Sequence, residues 1–442
     1  MSMLATTLLV AALIGSPVMP RALVPVTSPA IALTATPSAF NPQATARASE
    51  TAIVVVASVA GTLSVDVVTE AGPVYANLVP AKPVTAGSTT TVKWDGAEAV
   101  DGSYGIQVTL VDPAGVTSQA LTSVAVDSTA PVVRLATLGS GQTAVGPVAI
   151  NATAKDVTPL TRITLTVESQ LGATLGTVKV PVSRDGQGAS FDWNLRLRKR
   201  LLQPGVYHLR LTGVDGVGNV GESEPRLLRV DRAVKNNLIY SLREAGPAVG
   251  LAFDDCVSEQ AWLSIIKSFR VAKAHTTFFC NGVHVRSNPT AARATLAGGH
   301  TIGSHTWAHP ELPSLSASAQ ISQLKGDKEI WWRVAKASPM PFFRPPYGLR
   351  NATTDFAAGS EGFAYSVLWD VDPSDYLNPP PAVLVDKVTQ HARAGSIVVL
   401  HVSANTAAAV PALIRALRGR GLEPQSLDEM FGVAAYLAPR NR

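Results

Sequence analysis

The chain has 442 residues, of which 46% are hydrophobic and 16% are charged, so it contains enough apolar side chains for folded cores and is not a globally disordered protein. This length exceeds one ordinary core and predicts about three domains. The net charge of +5 is compatible with an anionic partner. However, the densest basic run, Arg196 to Arg200, lacks the neighbouring aromatic residues of a single-strand nucleic-acid groove. We therefore predict a solvated strand end at this run and no nucleic-acid partner.

The first 33 residues have the pattern of a segment that directs export. An apolar run from Met3 to about Ile14 is long enough for the core of a signal peptide and short for a transmembrane helix. No Lys or Arg precedes this run, and the small residues from Ser28 to Ala32 could contain a cleavage site. We predict that residues 1–33 form a signal peptide, or an N-terminal anchor that is not cleaved. The protein is then secreted or on the cell surface, and a membrane is its partner only if the anchor is retained.

Residues 34–232 have the pattern of all-β structure. Short runs of Val, Ile, Leu and Thr are interrupted every eight to twelve residues by Gly, Pro, Asp and Asn, which is typical of a β-sandwich. Several runs alternate apolar with polar residues, as a half-buried strand does. The predicted strands include Thr51 to Val56, Thr89 to Lys93, Tyr104 to Val111, Val148 to Ala152, Ile163 to Val167 and Val206 to Val214.

An internal repeat divides this region into two. Eight positions recur at a spacing of 103 residues, and the matched residues are Gly102, Tyr104, Ile106, Val108, Thr109, Val111, Asp112 and Gly115 with Gly205, Tyr207, Leu209, Leu211, Thr212, Val214, Asp215 and Gly218. Each copy has an upstream tryptophan, Trp94 or Trp193, which we predict to lie in the core. The repeat predicts two tandem sandwiches, residues 34–127 and 128–232. The tyrosine, the alternating apolar residues and the Asp-containing turn resemble bacterial immunoglobulin-like domains.

After Arg232, short apolar strands alternate with helical stretches, which predicts an α/β domain over residues 236–442. Such alternation forms a parallel sheet with right-handed crossovers, either open or closed into a barrel. The predicted strands are Val249 to Phe253, Thr276 to Phe279, Thr301 to Gly303, Pro341 to Phe343, Tyr365 to Trp369 and Ile397 to Leu400. The predicted helices are Gln260 to Ala272, Pro289 to Ala297, Ser316 to Ala337, Pro381 to Ala392 and Ala407 to Gly419.

Polar residues follow five of these strands, at the ends where the active sites of such folds gather. They are Asp254 and Asp255, His305 and His309, Arg344 to Gly348, Asp372 and Asp375, and His401. Seven of the eight histidines of the chain lie in this domain. Adjacent acids are often only turn formers, and a lone pair of histidines is often unrelated to a metal. Five such groups in order, each at a strand end, are better explained by a site.

Two histidines four residues apart and one carboxylate supply three protein ligands to a metal. Three ligands leave a coordination position open for water, as a catalytic zinc site requires. A second acid beside the first could take a proton from that water, and a separate histidine could protonate a leaving group. The residue types therefore predict metal-assisted hydrolysis.

Five sequence strings resemble, in order, the motifs of the NodB-type polysaccharide deacetylases, carbohydrate esterase family 4. They are FDD at 253–255, GSHTWAHP at 303–310, FFRPPYG at 342–348, DPSDY at 372–376 and VLH at 399–401. The segment TTFFCNGVHVRSNP also looks like the second strand and following loop of the family. The resemblance covers about Leu238 to Tyr436 and implies a distorted (β/α) barrel with fewer than eight regular units. The fold class expected for the chain is therefore two all-β sandwiches followed by this α/β barrel.

The resemblance also implies a role for each motif residue. Asp255, His305 and His309 would bind a divalent metal, with zinc expected. Asp254 would be the general base, Arg344 would hold it ionised, and the backbone N–H of Tyr347 would help to stabilise an oxyanion. His401 would be the general acid, with its pKa tuned by Asp375. The residues expected to contact substrate are Tyr376, Leu400, Pro346 and Trp307.

The sequence departs from the family pattern at two places. Cys256 and Val257 stand where the family has Gly-Pro, and Tyr376 stands where it has Trp. Neither change removes a group that performs chemistry, but both bear on the shape of the acetyl pocket. The only two cysteines, Cys256 and Cys280, follow the first two strands of the sheet, and they are either bridged or two buried free thiols.

The expected function is removal of N-acetyl groups from amino sugars of a polysaccharide, either peptidoglycan or a chitin-like polymer of N-acetylglucosamine. One alternative is an O-acetyl esterase that acts on xylan or wall sugars. Another is a catalytically idle glycan-binding protein. The polysaccharide is the expected partner, and the two sandwiches are candidates for association with the cell wall.

Overall fold

A computed structural model of the protein describes residue 28 and residues 30–44, 49–136 and 141–438. The predicted signal peptide or anchor lies almost wholly outside these residues. Within the described part of the chain, no helix is long and apolar enough to cross a membrane. The chain forms two compact units, and the predicted domain limits at 33, 127 and 232 stay predictions. The first unit extends to Pro131 and includes Lys155–Pro159 and Val214–Val220, and the second comprises Val132–Ala154, Leu160–Gly213 and the chain from Gly221.

The first unit contains two sheets that share one apolar core. One sheet has the order β2-β8-β7-β4-β5 and the other the order β1-β3-β6. The strands are β1 (Ile31–Thr36), β2 (Ala39–Phe40), β3 (Thr51–Ala57), β4 (Gly61–Thr69), β5 (Val74–Val84), β6 (Thr89–Trp94), β7 (Gly102–Val111) and β8 (Thr117–Val126). Every second residue of β3 is buried, because successive side chains of a strand point to opposite faces. Ile53, Val65 and Ile106 come from both sheets and pack in this core.

Among the residues that the structure describes, eleven further strands form the second all-β region. Its sheets have the orders β10-β19-β17-β12-β13, with β18 paired to β17, then β14-β11-β9 and the hairpin β15-β16. The strands are β9 (Val132–Leu135), β10 (Gln142–Ala144), β11 (Val148–Lys155), β12 (Arg162–Ser169), β13 (Thr174–Val180), β14 (Gly188–Trp193), β15 (Arg196–Leu197), β16 (Arg200–Leu201), β17 (Gly205–Val214), β18 (Val220–Glu222) and β19 (Arg226–Val230). The basic run at 196–200 forms the hairpin, and its Arg198 and Lys199 are exposed, as predicted for a solvated strand end.

The two all-β regions repeat one local hydrogen bond. The hydroxyl of Tyr104 donates to the carbonyl oxygen of Val100 at 2.9 Å, and that of Tyr207 donates to the carbonyl oxygen of Gln203 at 2.6 Å. A tyrosine that bonds to the backbone a few residues upstream is also a feature of immunoglobulin sandwiches. Trp94 is 5% exposed, and the equivalent tryptophan of the second copy is 2% exposed, so both are core residues as predicted.

The α/β region has one curled parallel sheet with helices between its strands. The order is β20-β25-β24-β23-β22-β21-β26, with β27 beside β21, and all seven pairings are parallel. Its strands are β20 (Asn237–Ile239), β21 (Ala248–Asp255), β22 (Thr277–Cys280), β23 (Thr301–Ser304), β24 (Phe342–Phe343), β25 (Tyr365–Val367), β26 (Ile397–His401) and β27 (Glu423–Gln425). The end strands β20 and β26 do not pair with each other, so the sheet is a partial barrel, as predicted.

Within the described residues, eight α-helices lie between or after these strands. They are α1 (Glu259–Ala272), α2 (Gly282–Ser287), α3 (Pro289–Ala297), α4 (Ala317–Ala335), α5 (Ala352–Ser360), α6 (Pro381–His391), α7 (Ala404–Gly419) and α8 (Leu427–Phe431). Short 3₁₀ helices lie at Leu312–Ser314, Pro346–Gly348, Asp375–Leu377 and Gly432–Ala435. Ser258, Ser316 and Ser403 cap α1, α4 and α7 by accepting a hydrogen bond from a first-turn N–H, which satisfies a donor that has no partner within the helix.

The second all-β region and the curled sheet belong to the same unit and share one apolar core. Leu209 of β17 and Val367 of β25 are members of a single cluster of buried residues. Buried Lys328 of α4 forms ion pairs with Asp231 and Glu361 at 3.0 and 2.9 Å. The curled sheet is therefore packed against the second all-β region and is not joined to it only by a linker.

Candidate active site

Seven of the predicted site residues meet at one edge of the curled sheet, because the carboxyl ends of parallel strands lie together. They surround a cavity of about 510 Å³. Its lining residues are Asp254, Asp255, His305, His309, Tyr347, Trp369, Asp372, Tyr376, Val399 and His401. A cavity of this size can hold a small organic group as well as a metal ion.

Asp255, His305 and His309 form a cluster of three metal-ligand types. The Oδ1 atom of Asp255 lies 3.6 Å from Nε2 of His305 and 3.4 Å from Nε2 of His309. One ligand atom from each residue lies within 4.8 Å of the other two. The Oδ1 atom of Asp255 is buried and has no hydrogen-bond partner among the described residues. Three converging donors, one of them an unsatisfied carboxylate oxygen, fit a divalent metal ion.

His305 is prepared as a neutral ligand. Its Nδ1–H donates to the carbonyl oxygen of Arg344 at 2.7 Å, which leaves Nε2 as the free lone pair on the cavity side. Burial lowers the pKa of His305 to about 3. The imidazole therefore stays unprotonated at neutral pH, as a metal ligand must.

Asp254 lies beside this cluster but has a different partner. Its Oδ1 accepts a hydrogen bond from Nη1 of Arg344 at 2.8 Å, and both side chains are buried. Burial raises the pKa of Asp254, and the positive charge of Arg344 opposes that rise. A carboxylate with a raised pKa is a stronger proton acceptor than an ordinary one, and its pair with Arg344 holds it in one orientation.

Arg344 is itself fixed from three directions. Its Nε donates to the carbonyl oxygen of Val367 at 2.9 Å, and its Nη2 donates to that of Leu368 at 3.2 Å. The ring of Phe279 lies under the guanidinium, 4.3 Å from Cζ. Gly303 is required here, because a Cβ at this position would lie 2.3 Å from the Phe279 ring. The glycine of the GSH string thus admits the ring that supports Arg344.

His401 and Asp375 form a second pair on the cavity wall. The Oδ1 atom of Asp375 lies 2.7 Å from Nδ1 of His401, and its Oδ2 accepts the backbone N–H of His401 and the hydroxyl of Thr406. Burial alone would lower the pKa of His401, but the hydrogen bond that His401 donates to Asp375 and the negative charge of Asp254 outweigh it and raise the pKa to about 9. His401 is therefore protonated at neutral pH and can donate a proton.

Two exposed tyrosines complete the rim of the cavity. The ring of Tyr347 lies 4.5 Å from that of His309, edge to face, and the ring of Tyr376 lies 6.0 Å from that of His401. Tyr347 has φ of 59°, a left-handed backbone conformation that is uncommon outside glycine. Such strain is kept where the surrounding structure fixes it, often at functional sites.

Cys256 and Cys280 form a disulfide, which decides between the two alternatives that the sequence left open. The pairing register sets Asp255 of β21 opposite Cys280 of β22, so the two cysteines are close, with Cα atoms 5.1 Å apart. Asp255 and Cys256 both have left-handed backbones, with φ of 69° and 62°. The bridge therefore holds the strained turn that presents Asp255.

Three of the four residues expected to contact substrate lie away from the cavity lining, unlike Tyr376. Leu400 is fully buried in the apolar core, Pro346 is also buried, and Trp307 packs against Arg286 with its ring 5.1 Å from Cζ. None of the three is among the residues that line the cavity in the described part of the chain. Their contact with substrate stays a prediction.

Trp369 and Val399 also line the cavity, and the sequence predicts no site role for either. Asp372, one of the polar residues that follow the predicted strands, lines it as well. Trp369 follows β25, and its ring lies 5.6 Å from Cζ of Arg344. Its position at the end of the predicted strand Tyr365 to Trp369 was the available signal. Val399 lies within β26. Its place in the cavity wall depends on which face of β26 the curled sheet turns toward the cavity, and the sequence does not show this.

The sequence matches known proteins over the α/β region. The profile of the family described as polysaccharide deacetylase matches residues 242–366. A peptidoglycan-N-acetylglucosamine deacetylase of Bacillus cereus is 30% identical over 211 residues, which are 46% of this chain and 98% of that protein. The peptidoglycan-N-acetylglucosamine deacetylase PgdA of Listeria monocytogenes is 29% identical over 186 residues, which are 42% of this chain and 39% of the relative. This chain thus spans well under half of the length of the Listeria relative.

Solved structures also resemble this chain. One is described as a pseudoenzyme of carbohydrate esterase family 4 from Bacillus anthracis, with 23% identity and a TM-score of 0.43, covering 45% of this chain and 69% of that one. The 30% identity over nearly the whole of the Bacillus cereus protein, together with the match to the family profile, shows that this chain belongs to the polysaccharide deacetylase family.

Proposed function

We propose that this protein is a metal-dependent hydrolase that removes N-acetyl groups from the amino sugars of a polysaccharide, peptidoglycan or a chitin-like polymer of N-acetylglucosamine, outside the cytoplasm. The observation that carries the proposal is the position of buried Asp254. It lies beside the Asp255–His305–His309 cluster, is paired with Arg344 at 2.8 Å and shares its cavity with His401. The names of the Bacillus cereus and Listeria relatives support the same substrate class.

Asp255, His305 and His309 would hold the metal, for which we propose zinc. When bound, such an ion polarises an acyl oxygen and lowers the pKa of a water molecule. The protein supplies three ligands, which is the number found at catalytic rather than structural zinc sites. Neutral His305 and the unsatisfied Oδ1 of Asp255 are the features of this chain that suit the role.

Asp254 would act as the general base that accepts a proton from the attacking water. Its pair with Arg344 keeps the carboxylate ionised before the reaction and holds it in one orientation. The backbone N–H of Tyr347 would donate to the oxygen of the acetyl group as negative charge develops there. The left-handed conformation of Tyr347 fixes this segment at the mouth of the cavity.

His401 would protonate the departing amine. Asp375 holds Nδ1, so Nε2 is the nitrogen available for proton transfer. Tyr376 and Trp369 would form walls against the sugar or its acetyl group, since both line the cavity. Contact of Pro346, Leu400 and Trp307 with the substrate is part of this proposal. The two sandwiches would associate with the cell wall or space the enzyme from the cell surface.

Acetate release by the purified full chain tests this proposal. The zinc-loaded protein should release acetate from peptidoglycan or chitin oligomers and much less from acetylxylan. Preferential release from acetylxylan would favour an O-acetyl esterase. Bound zinc without acetate release from any of the three substrates would contradict the proposal and favour an idle glycan-binding protein.

A further inference from the structure

A second group of acids lies in the first unit and is separate from the acids of the cavity. Asp127, Asp156 and Asp215 each follow directly after a strand, β8, β11 and β17. One carboxylate oxygen of each lies within 4.8 Å of one oxygen of both others. Asp127 has no exposed surface, Asp215 is 2% exposed and Asp156 is partly buried.

Hydrogen bonds to the chain hold each carboxylate by one oxygen. The Oδ2 atom of Asp127 accepts from the backbone N–H and the hydroxyl of Thr158, at 3.1 and 2.5 Å. Oδ1 of Asp156 accepts the N–H of Val157 at 2.9 Å. Oδ1 of Asp215 accepts the N–H groups of residues 217, 218 and 219 at 2.7 to 2.9 Å. These bonds fix the orientation of all three side chains.

The other oxygen of Asp127 is buried and unsatisfied. Its Oδ1 has no hydrogen-bond partner among the described residues, and neither has the buried Oδ2 of Asp156. Neither Asp127 nor Asp156 forms an ion pair with a lysine or arginine in the described part of the chain. Burying a carboxylate oxygen without a hydrogen bond or a counter-ion destabilises the fold, so a bound cation would be favourable at these two atoms.

The mutual repulsion of the three acids also favours a bound cation. Burial raises the pKa of Asp127, and the negative charges of Asp215 and Asp101 raise it further. Burial also raises the pKa of Asp156, to about 6, with additional contributions from Asp127 and Asp215. Three acidic side chains therefore lie close together in a region from which water is largely excluded. A cation at their centre would remove this repulsion.

We propose that Asp127, Asp156 and Asp215 bind a hard divalent cation, and that calcium is the ion that fits best. All donors are carboxylate oxygens, which hard cations prefer, and there is no nitrogen or sulfur ligand among the three. Calcium accepts six to eight oxygen ligands in flexible geometry, with water completing the set. Asn219 supports the arrangement, because its side-chain amide donates to the carbonyl oxygen of Asp127 at 3.2 Å. The ion would tie together the chain segments that follow β8, β11 and β17.

Calorimetric titration of the zinc-loaded full chain with calcium chloride tests the site. We expect one calcium ion to bind with a dissociation constant of about 0.1 to 1 mM, as in other extracellular modules. Asp127→Asn and Asp156→Asn should each weaken calcium binding by about tenfold or more. Asp95→Asn is the matched control, because Asp95 is an exposed acid of the same unit and its replacement should leave calcium affinity unchanged.

His305→Ala separates this site from the zinc site. That variant should lose zinc and keep calcium binding, whereas Asp127→Asn should keep zinc and lose calcium. Thermal melts give a second measurement, since calcium should raise the melting temperature of the wild type and not that of Asp156→Asn. In calcium-free buffer, Asp156→Asn should melt no lower than the wild type, because it removes a repelling charge. Absence of calcium binding by the wild type at about 10 mM, or equal affinity in Asp127→Asn and wild type, would overturn the proposal.

Discussion

The guanidinium of Arg344 donates to the carboxylate of Asp254 at 2.8 Å, and both side chains are buried. Arg344 also donates to the carbonyl oxygens of Val367 and Leu368. It therefore links the base candidate on β21 to the strand end of β25. In this arrangement Arg344 orients Asp254 and does not itself need to touch the reacting atoms.

Removing Arg344 should affect both stability and the pH profile. Arg344→Met leaves Asp254 as an uncompensated buried charge, so we expect a loss of about 3 to 5 kcal/mol in the free energy of unfolding. The pKa of Asp254 should rise further, which moves the acidic limb of kcat/KM to higher pH. Urea denaturation and pH–rate profiles measure the two effects.

The double variant Arg344→Met with Asp254→Asn is the control for that experiment. It removes both charges, and it should recover much of the stability lost in the single variant while staying inactive. If the single variant were as stable as the wild type, the two groups would not be an essential pair.

The His401–Asp375 pair predicts the alkaline limit of activity. His401 must be protonated to act as an acid, and Asp375 contributes to the raised pKa of about 9. Asp375→Asn should lower the pKa of His401, so the alkaline limb of kcat/KM should move to lower pH by more than about one unit. A pH–rate profile on chitin oligomers measures this shift.

Asp372→Asn is a suitable comparison for Asp375→Asn. Asp372 also lines the cavity, but it is exposed and accepts a hydrogen bond from the N–H of Ser374 rather than holding His401. Its replacement should leave the alkaline limb close to that of the wild type. An equal shift in both variants would mean that general loss of negative charge, and not the contact at 2.7 Å, sets the pKa of His401.

The disulfide should stabilise the turn that presents Asp255. Cys256 and Cys280 are 24 residues apart, and a loop of this length predicts a contribution of about 3 kcal/mol. The double variant with serine at both positions should lose that amount in the unfolding transition that accompanies zinc release. It should also bind zinc more weakly, because Asp255 is less well held. Unchanged zinc affinity and unchanged stability would show that the bridge does not support the site.

Much of the fold was predictable because its strands and helices follow simple periodicity. The alternation in Thr51–Ala57 and the apolar run ending at Asp254 and Asp255 both predicted strands that the structure contains. The start of the first sandwich at residue 34 stays a prediction, and β1 spans Ile31–Thr36. Element limits depend on pairing partners, which a single sequence does not reveal.

Three α-helices of the described chain were not predicted, and one of them, Leu427–Phe431, has only five residues. Gly282–Ser287 has only six residues, and Ala352–Ser360 contains Thr and Gly, which weaken helix propensity. The helix Ala352–Ser360 has a signal that could have found it, because the side chain of Asn351 and that of Thr354 form a capping box.

The candidate site was predictable to the extent that its residues stand at strand ends. The convergence of Asp255, His305 and His309 follows from the parallel sheet. The contribution of Val399 to the cavity does not, because it depends on the curvature of the sheet. The convergence of Asp127, Asp156 and Asp215 depends on long-range packing, which cannot be predicted from their spacing in the sequence.

In the proposed mechanism, Asp254 accepts a proton beside a metal that it does not itself bind. The most direct measurement compares bound zinc and acetate release from N-acetylated chitin oligomers in the full-chain variants Asp254→Asn and His305→Ala. Asp254→Asn should keep its zinc and lose rate by about 10² to 10⁴-fold, as expected for a general base. His305→Ala should lose both zinc and activity. Acetate release at the wild-type rate by zinc-containing Asp254→Asn would show that Asp254 is not the general base.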